Sequence, residues 1–168
     1  GHGAVPEMSL WENVLLSART REGMEKNGFL DTRIAEDYAN EVVDAFNVKT
    51  AGVNHSANSL SGGNLQKFIV GREILQNPSV LIALQPTWGV DAAAAAFIHR
   101  ALQALADRGT AVLVISQDLD ELMVISNKFA VLSEGCLSEI TRTGTLSIEE
   151  IGLLMGGAQP GLSVEDGK

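Results

Sequence analysis

The stretch "VLIALQPTWGVD", residues 80–91, decides how this chain is read. Val80 to Leu84 is a continuous apolar run of strand length, which predicts a strand buried on both faces. Pro86-Thr87 breaks the run, and Gly89 and Asp91 lead into an alanine-rich segment. A strand that ends in a turn before a helix is where α/β proteins place phosphate chemistry. Yet this strand end offers Ala83, Leu84 and Gln85, with no carboxylate to hold a metal or activate a water.

Outward from that strand the pattern alternates. Ala92 to Asp107 predicts a helix with Phe97, Ile98, Ala101, Leu102 and Leu105 on one face and Gly109 just past its end. Ala111 to Ile115, "AVLVI", predicts a second buried strand, and Leu119 to Ser126 a short helix. Phe129–Leu132 and Leu137–Ile140 read as strands around a Glu134-Gly135 turn. Ser147 and Glu150 form a capping box that opens a last helix, which stops at Gly156-Gly157. Residues 158–168 are polar, contain Pro and Gly, and are expected to be disordered.

Upstream, Ser9 and Glu12 form another capping box before "LWENVLLSA". Residues 19–31 are charged, contain Gly23 and Gly28, and read as a loop. A second helix starts at Asp31 or Thr32, with Ile34, Tyr38, Val42, Ala45 and Phe46 as its apolar stripe. Residues 47–59 read as a connecting loop. A third helix follows, with Leu65, Phe68 and Ile69 facing inward and Asn77-Pro78 as its stop. Helices first, then strands alternating with helices, imply an α/β chain with a parallel sheet.

The stretch "LSGGNLQ", residues 60–66, carries the strongest chemical signal. Two glycines allow a backbone to approach a ligand closely, and they open a helix whose N–H groups and positive dipole end favour an anion. Ser61 adds a hydroxyl donor. Taken alone, the stretch reads equally well as a serine-capped helix after a Gly-Gly turn.

In company with its neighbours it resembles the ATP-binding subunit of ABC transporters. "LSGGN" is similar to the family signature, L-S-G-G-Q. "VLIALQPTWGVD" resembles the Walker B strand followed by the D-loop, with Asp91 as the D-loop aspartate. "VLVISQDLDEL", residues 112–122, resembles the switch strand and H-loop. "GAVPEMSLWENVLL" and the closing "IEEIGLLMGG" are most similar to the second ATPase half of tandem subunits that serve simple-sugar and nucleoside-type importers.

The resemblance implies a partial P-loop NTPase fold: a helical subdomain over 1–78, then the second part of the RecA-like ATPase core over 79–157, a mainly parallel sheet flanked by helices. It also implies which residues matter. Leu60, Ser61, Gly62, Gly63 and Asn64 would touch ATP in trans, held against the phosphate loop of another ATPase unit. Trp88, Gly89 and Asp91 would form the D-loop and interface, although Trp88 reads equally as simple packing. ATP and Mg²⁺ are implied for the full-length protein, with neither expected on this chain alone. The implied partners are an N-terminal ATPase half or a second ATP-binding unit, membrane permease subunits and, indirectly, a periplasmic solute-binding protein. The implied location is peripheral, on the cytoplasmic side of the bacterial inner membrane.

The chain departs from the family in four places. The phosphate cradle G-x-x-x-x-G-K-[ST] is absent, and the family places it upstream of residue 1, so the later part of a longer protein is implied. The abrupt start "GHGAVPEM" agrees, with Gly1-His2 reading as a cloning remnant. The Mg²⁺-associated aspartate aligns with Leu84, the catalytic glutamate with Gln85 and the H-loop histidine with Gln117. An amide can hold a water but cannot serve as its base at ordinary pH. The chain therefore reads as the degenerate half of an ATPase: it lends its signature to another site while its own hydrolytic site is lost. A non-transport ABC-type scaffold is the alternative.

Composition sets outer limits. The 168 residues are 45% apolar, enough for a packed core, and the net charge is −9. Such a surface repels phosphate backbones, which counts against nucleic-acid partners and against the scaffold alternative. One cysteine, Cys136, cannot form an internal disulfide and reads as a small buried apolar residue. No apolar run approaches the roughly 18 residues needed to span a bilayer. His2, His55 and His99 share no metal-ligand spacing, and Asp118, Asp120 and Glu121 read as a solvated helix start. If the phosphate-loop strand is missing from the sheet, the Ala111 strand should pair directly with the Phe129 strand or exchange strands in a dimer.

Overall fold

A computed structural model describes residues 3–20 and 23–157. The expectations for His2 and for the tail at 158–168 lie outside the described residues. Two compact units divide between Ile115 and Ser116.

The first unit is built on three helices. Helix α1 (Leu10–Ala18) starts at the expected capping box. The Ser9 hydroxyl and backbone N–H both donate to Glu12 Oε2, at 2.7 and 2.8 Å, and this holds the Glu12 carboxyl below its ordinary value. Helix α2 (Thr32–Ala45) is capped by Asp31, and helix α3 (Gly62–Leu75) begins at Ser61. Leu10, Val14, Tyr38, Val42, Phe46 and Phe68 are buried in one shared core.

Between α1 and α2, the segment read as a loop contains a small hairpin. Strand β1 (Glu25–Lys26) pairs antiparallel with β2 (Phe29–Leu30). Asn27 and Gly28 turn it with φ of 54° and 80°, the left-handed pair that joins strands tightly. Two strands of two residues are too short for a periodicity signal, which is why the pattern read as loop. The α2 stripe holds at Tyr38, Val42 and Phe46, but Ile34 and Ala45 face solvent and Ala35 and Ala39 are buried instead. The 47–59 connection ends in a 3-10 turn at Ala57–Ser59.

Strand β3 (Val80–Leu84), helix α4 (Ala92–Asp107) and strand β4 (Ala111–Ile115) fall on their expected bounds. The two strands are parallel and in register from Val80↔Ala111 to Leu84↔Ile115. They are not buried on both faces. Leu81, Ala83, Val112 and Val114 are half-buried, whereas Val80, Ile82, Leu84, Leu113 and Ile115 are 45–69% exposed. Among the described residues the sheet has these two strands, and no layer of this unit covers their second face.

In the second unit, helix α5 (Leu119–Ile125) is capped by Asp118, and helix α6 (Ile148–Met155) opens with the expected Ser147–Glu150 box. The two expected strands are each broken. Strand β5 (Lys128–Phe129) pairs antiparallel with β8 (Thr141–Arg142), and β6 (Leu132–Ser133) pairs with β7 (Cys136–Leu137) around Glu134-Gly135. Against the expected pairing of the Ala111 strand with the Phe129 strand, the ladder partner of β4 among the described residues is β3 and that of β5 is β8. Cys136 is exposed rather than buried, since β7 lies at the tip of a two-residue hairpin with little around it.

Helix α3 reaches its neighbours through a glycine. A Cβ added at Gly71 would lie 2.6 Å from two ring carbons of Phe46, whose ring also meets Phe97 edge-on at 6.0 Å. Alanine gains about 1 kcal/mol of helix propensity over glycine, but forcing atoms into a packed core costs about 1–3 kcal/mol. The clash is with the root of an aromatic ring, which cannot swing aside cheaply. Gly71→Ala is therefore expected to destabilise the chain by about 1–2 kcal/mol in urea unfolding. Combining it with Phe46→Leu should recover part of that loss, and a stabilised Gly71→Ala would show the packing to be wrong.

Candidate functional site

The signature stretch sits where α3 begins. Leu60 is half-buried, and its N–H donates to Ala57 O at 3.2 Å, closing the 3-10 turn. Ser61 follows in extended conformation (φ −65°, ψ 156°) at the N-cap position, yet its side chain makes no cap hydrogen bond to its own helix. Its Oγ accepts from Asn64 Nδ2 at 2.9 Å instead. The Asn64 Oδ1 in turn accepts from the Lys49 backbone N–H at 2.9 Å. The exposed hydroxyl thus stands at the positive end of a fourteen-residue helix.

The two signature glycines lie against the turn after β3. A Cβ on Gly62 would lie 3.3 Å from Gly89 O, and one on Gly63 would lie 3.1 Å from Ala94 Cβ and 3.4 Å from Asp91 Oδ2. Asp91 is the N-cap of α4, its Oδ1 accepting from Ala93 N and Ala94 N at 3.0 and 2.9 Å. Gly89 takes φ 74°, which lets the turn close tightly. Trp88 stands 68% exposed on the same turn. The structure therefore brings Gly62, Gly63, Gly89 and Asp91 together. The sequence placed these two motifs on one path but carried no sign of their contact.

The end of β3 matches its unpromising sequence. Leu84 is 69% exposed and apolar. Gln85 is half-buried with φ 50°, a left-handed backbone that costs a side-chain-bearing residue about 1 kcal/mol or more. Its N–H donates to Ile115 O at 2.8 Å, which fixes the strand end in that conformation. Gln117 belongs to the second unit, exposed in the bend before α5. Magnesium wants several oxygen ligands, carboxylates foremost. Leu84 and Gln85 do not fit it, and no cluster of three His, Cys, Asp or Glu that could hold a metal exists among the described residues. No chemical step through a metal is derived from this strand end.

A buried polar network, missed at the sequence level, holds the helices that carry the signature. Arg72 is 4% exposed. Its guanidinium donates to Asn13 O at 2.7 Å, Gly3 O at 3.0 Å and Glu73 Oε1 at 2.8 Å. Tyr38 donates to Arg72 O at 2.8 Å, and Ser17 donates to Glu73 Oε1 at 2.7 Å. Fully buried Asn13 donates to Val5 O, Met8 O and Ser9 O and accepts from Val5 N. An arginine amid the apolar residues of α3 was the one available signal.

Known proteins resemble the chain in sequence and in fold. The chain is 44% identical over 155 residues to the nucleoside import ATP-binding protein NupA of Lactococcus lactis subsp. cremoris, covering 92% of this chain and 31% of that protein. It is 39% identical over 134 residues to the arabinose import ATP-binding protein AraG of Vibrio parahaemolyticus, covering 80% of this chain and 26% of that protein. Its homologues are sugar and nucleoside import ATP-binding proteins, matched over most of this chain. Its fold is that of an ABC ATPase cassette: a post-hydrolysis dimer of such a cassette, bound to ADP and Pi, matches with a TM-score of 0.68. That match has 23% identity and covers 85% of this chain and 60% of the cassette. No family model matches the chain. The chain spans about a third of the length of the import proteins it matches. Among the described residues, no helix is long and apolar enough to cross a membrane.

An ABC ATPase segment with leucine and glutamine at its strand end should not turn over ATP. The chain of 168 residues, purified alone, is expected to show no hydrolysis above background in a coupled assay. A magnesium-dependent turnover that survives repurification to constant specific activity would overturn the reading of Leu84 and Gln85.

Proposed function

We propose that the chain is the later part of the ATP-binding protein of an ABC importer for sugars or nucleosides. In that role it couples ATP binding and hydrolysis to solute uptake. The observation that carries the reading is the 44% identity to a nucleoside import ATP-binding protein across nearly the whole chain, including the signature at residues 60–64. Residues 1–78 act as the helical subdomain and residues 79–157 as the second part of the ATPase core. ATP and Mg²⁺ are bound by the full-length protein. The permease subunits and a periplasmic solute-binding protein complete the importer, with the ATPase peripheral on the cytoplasmic face of the inner membrane.

Within that assembly the signature works in trans. Ser61, at the start of α3, offers a hydroxyl to ATP held by the phosphate loop of the other ATPase half or of a second unit. Gly62, Gly63, Leu60 and Asn64 shape the surface that meets it. The side chains of Trp88 and Asp91, with Gly89, lie on the same turn and form the neighbouring contact with the other half. The opposing site, which lacks carboxylates at Leu84 and Gln85, contributes no hydrolysis, and Gln117 stands where the family's switch histidine would be. The geometry supports this division: Ser61 at the start of α3 is exposed and polar, and Leu84 at the end of β3 is exposed and apolar.

The test is made on the full-length protein. Ser61→Arg should lower its ATPase rate by about 10²-fold or more, because it replaces a donor with a bulky cation at a close approach. Introducing carboxylates, Leu84→Asp with Gln85→Glu, should change the rate by less than about 3-fold, small beside the cost of one lost donor. Intact activity in Ser61→Arg would sink the trans reading. A large gain from the two carboxylates would show that the second site is a working one.

A further inference from the structure

The Lys49 backbone N–H can only donate. It lies 2.9 Å from Asn64 Oδ1, so the oxygen of that amide must face Lys49. The Asn64 NH₂ group is thereby turned toward Ser61 Oγ, also 2.9 Å away. An amide nitrogen donates and does not accept, so the Ser61 hydroxyl is the acceptor in this pair. Its single proton cannot point back at Asn64. The side chain makes no cap bond to α3, and Asn64 is the one hydrogen-bond partner of Ser61 Oγ among the described residues. The proton is left facing outward, on an exposed residue.

We infer that Asn64 is a positioning residue: anchored on the Lys49 N–H, it fixes Ser61 as an outward hydrogen-bond donor. This inference rests on the trans reading of the signature. Ionised phosphate oxygens accept hydrogen bonds and do not donate them. A hydroxyl whose lone pair is already taken from behind meets such an oxygen with the right polarity and with no reorientation at the moment of contact. The contact also links the loop around Lys49 to the ATP-facing end of α3, so that loop and hydroxyl move together.

The polarity can be reversed while the anchor is kept. Asn64→Asp preserves size and still accepts from the Lys49 N–H, but its second oxygen can only accept, which draws the Ser61 proton inward. It also adds a negative charge, so each variant is measured in the full-length protein with Ser61 and again with Ser61→Ala. In the Ser61→Ala background only the charge acts. The expected result is that Asn64→Asp lowers the ATPase kcat about 10-fold more with Ser61 present than with alanine there. Asn64→Ala should lower kcat by about 3-fold more with Ser61 present than in the Ser61→Ala background. Equal losses in the two backgrounds, for either substitution, would show that Asn64 acts through charge or through folding alone and would overturn the inference. Full activity in Ser61→Ala itself would overturn the trans reading as well, and so separates the two failures.

Discussion

The Arg72 guanidinium is nearly excluded from water, and a charge in that position must find oxygens where it lies. It finds three, each on a different part of the chain: the carbonyl of Gly3, the carbonyl of Asn13 and the carboxylate of Glu73. Through Tyr38, which donates to the carbonyl of Arg72, α2 is drawn into the same arrangement. Removing these oxygens would leave the buried Arg72 charge stranded, whereas Glu73 itself keeps part of its side chain in water. The direction of α3 is therefore fixed by polar contacts as well as by its apolar face. Everything at its N-terminal end inherits that direction, including the exposed Ser61 and the glycines packed on the turn after β3.

That inheritance explains why the two ends of the first unit differ so much in chemistry. At the start of α3, close approach is arranged by glycines, and hydrogen-bonding polarity is arranged by Asn64 and Lys49. At the end of β3, the backbone of Gln85 is held in a left-handed conformation by its bond to Ile115 O, yet the side chains on offer are an amide and a leucine. Backbone hydrogen bonds and the Asp91 cap maintain this strand-to-turn geometry with no carboxylate at Leu84 or Gln85.

Much of this was legible because it is local. Both capping boxes and the bounds of α4 and of the two strands are encoded in contiguous residues, and each was found where it was expected. What was not legible depends on pairs distant in the chain. The Lys49–Asn64 bond, the reach of Arg72 to Gly3 and the packing of Gly63 on Ala94 leave no periodic trace. A run such as "VLIAL" also cannot say how many of its faces are covered, since an apolar side chain reads the same on either. The small hairpin at Asn27-Gly28 is too short for its alternation to register.

The open face of the β3–β4 pair has a consequence for how the chain behaves as a solute. Val80, Ile82 and Leu84 run in register beside Leu113 and Ile115, and among the described residues neither strand has a second strand partner. An apolar ladder between free edges attracts further copies of itself. Against that attraction stands a net charge of −9, which keeps molecules apart at long range in dilute buffer near neutral pH. Salt shortens the reach of that repulsion to about 10 Å at 0.1 M. Acidification toward the isoelectric point near 4.7 removes it altogether. The colloidal lifetime of the chain in solution is thus governed by ionic strength and pH.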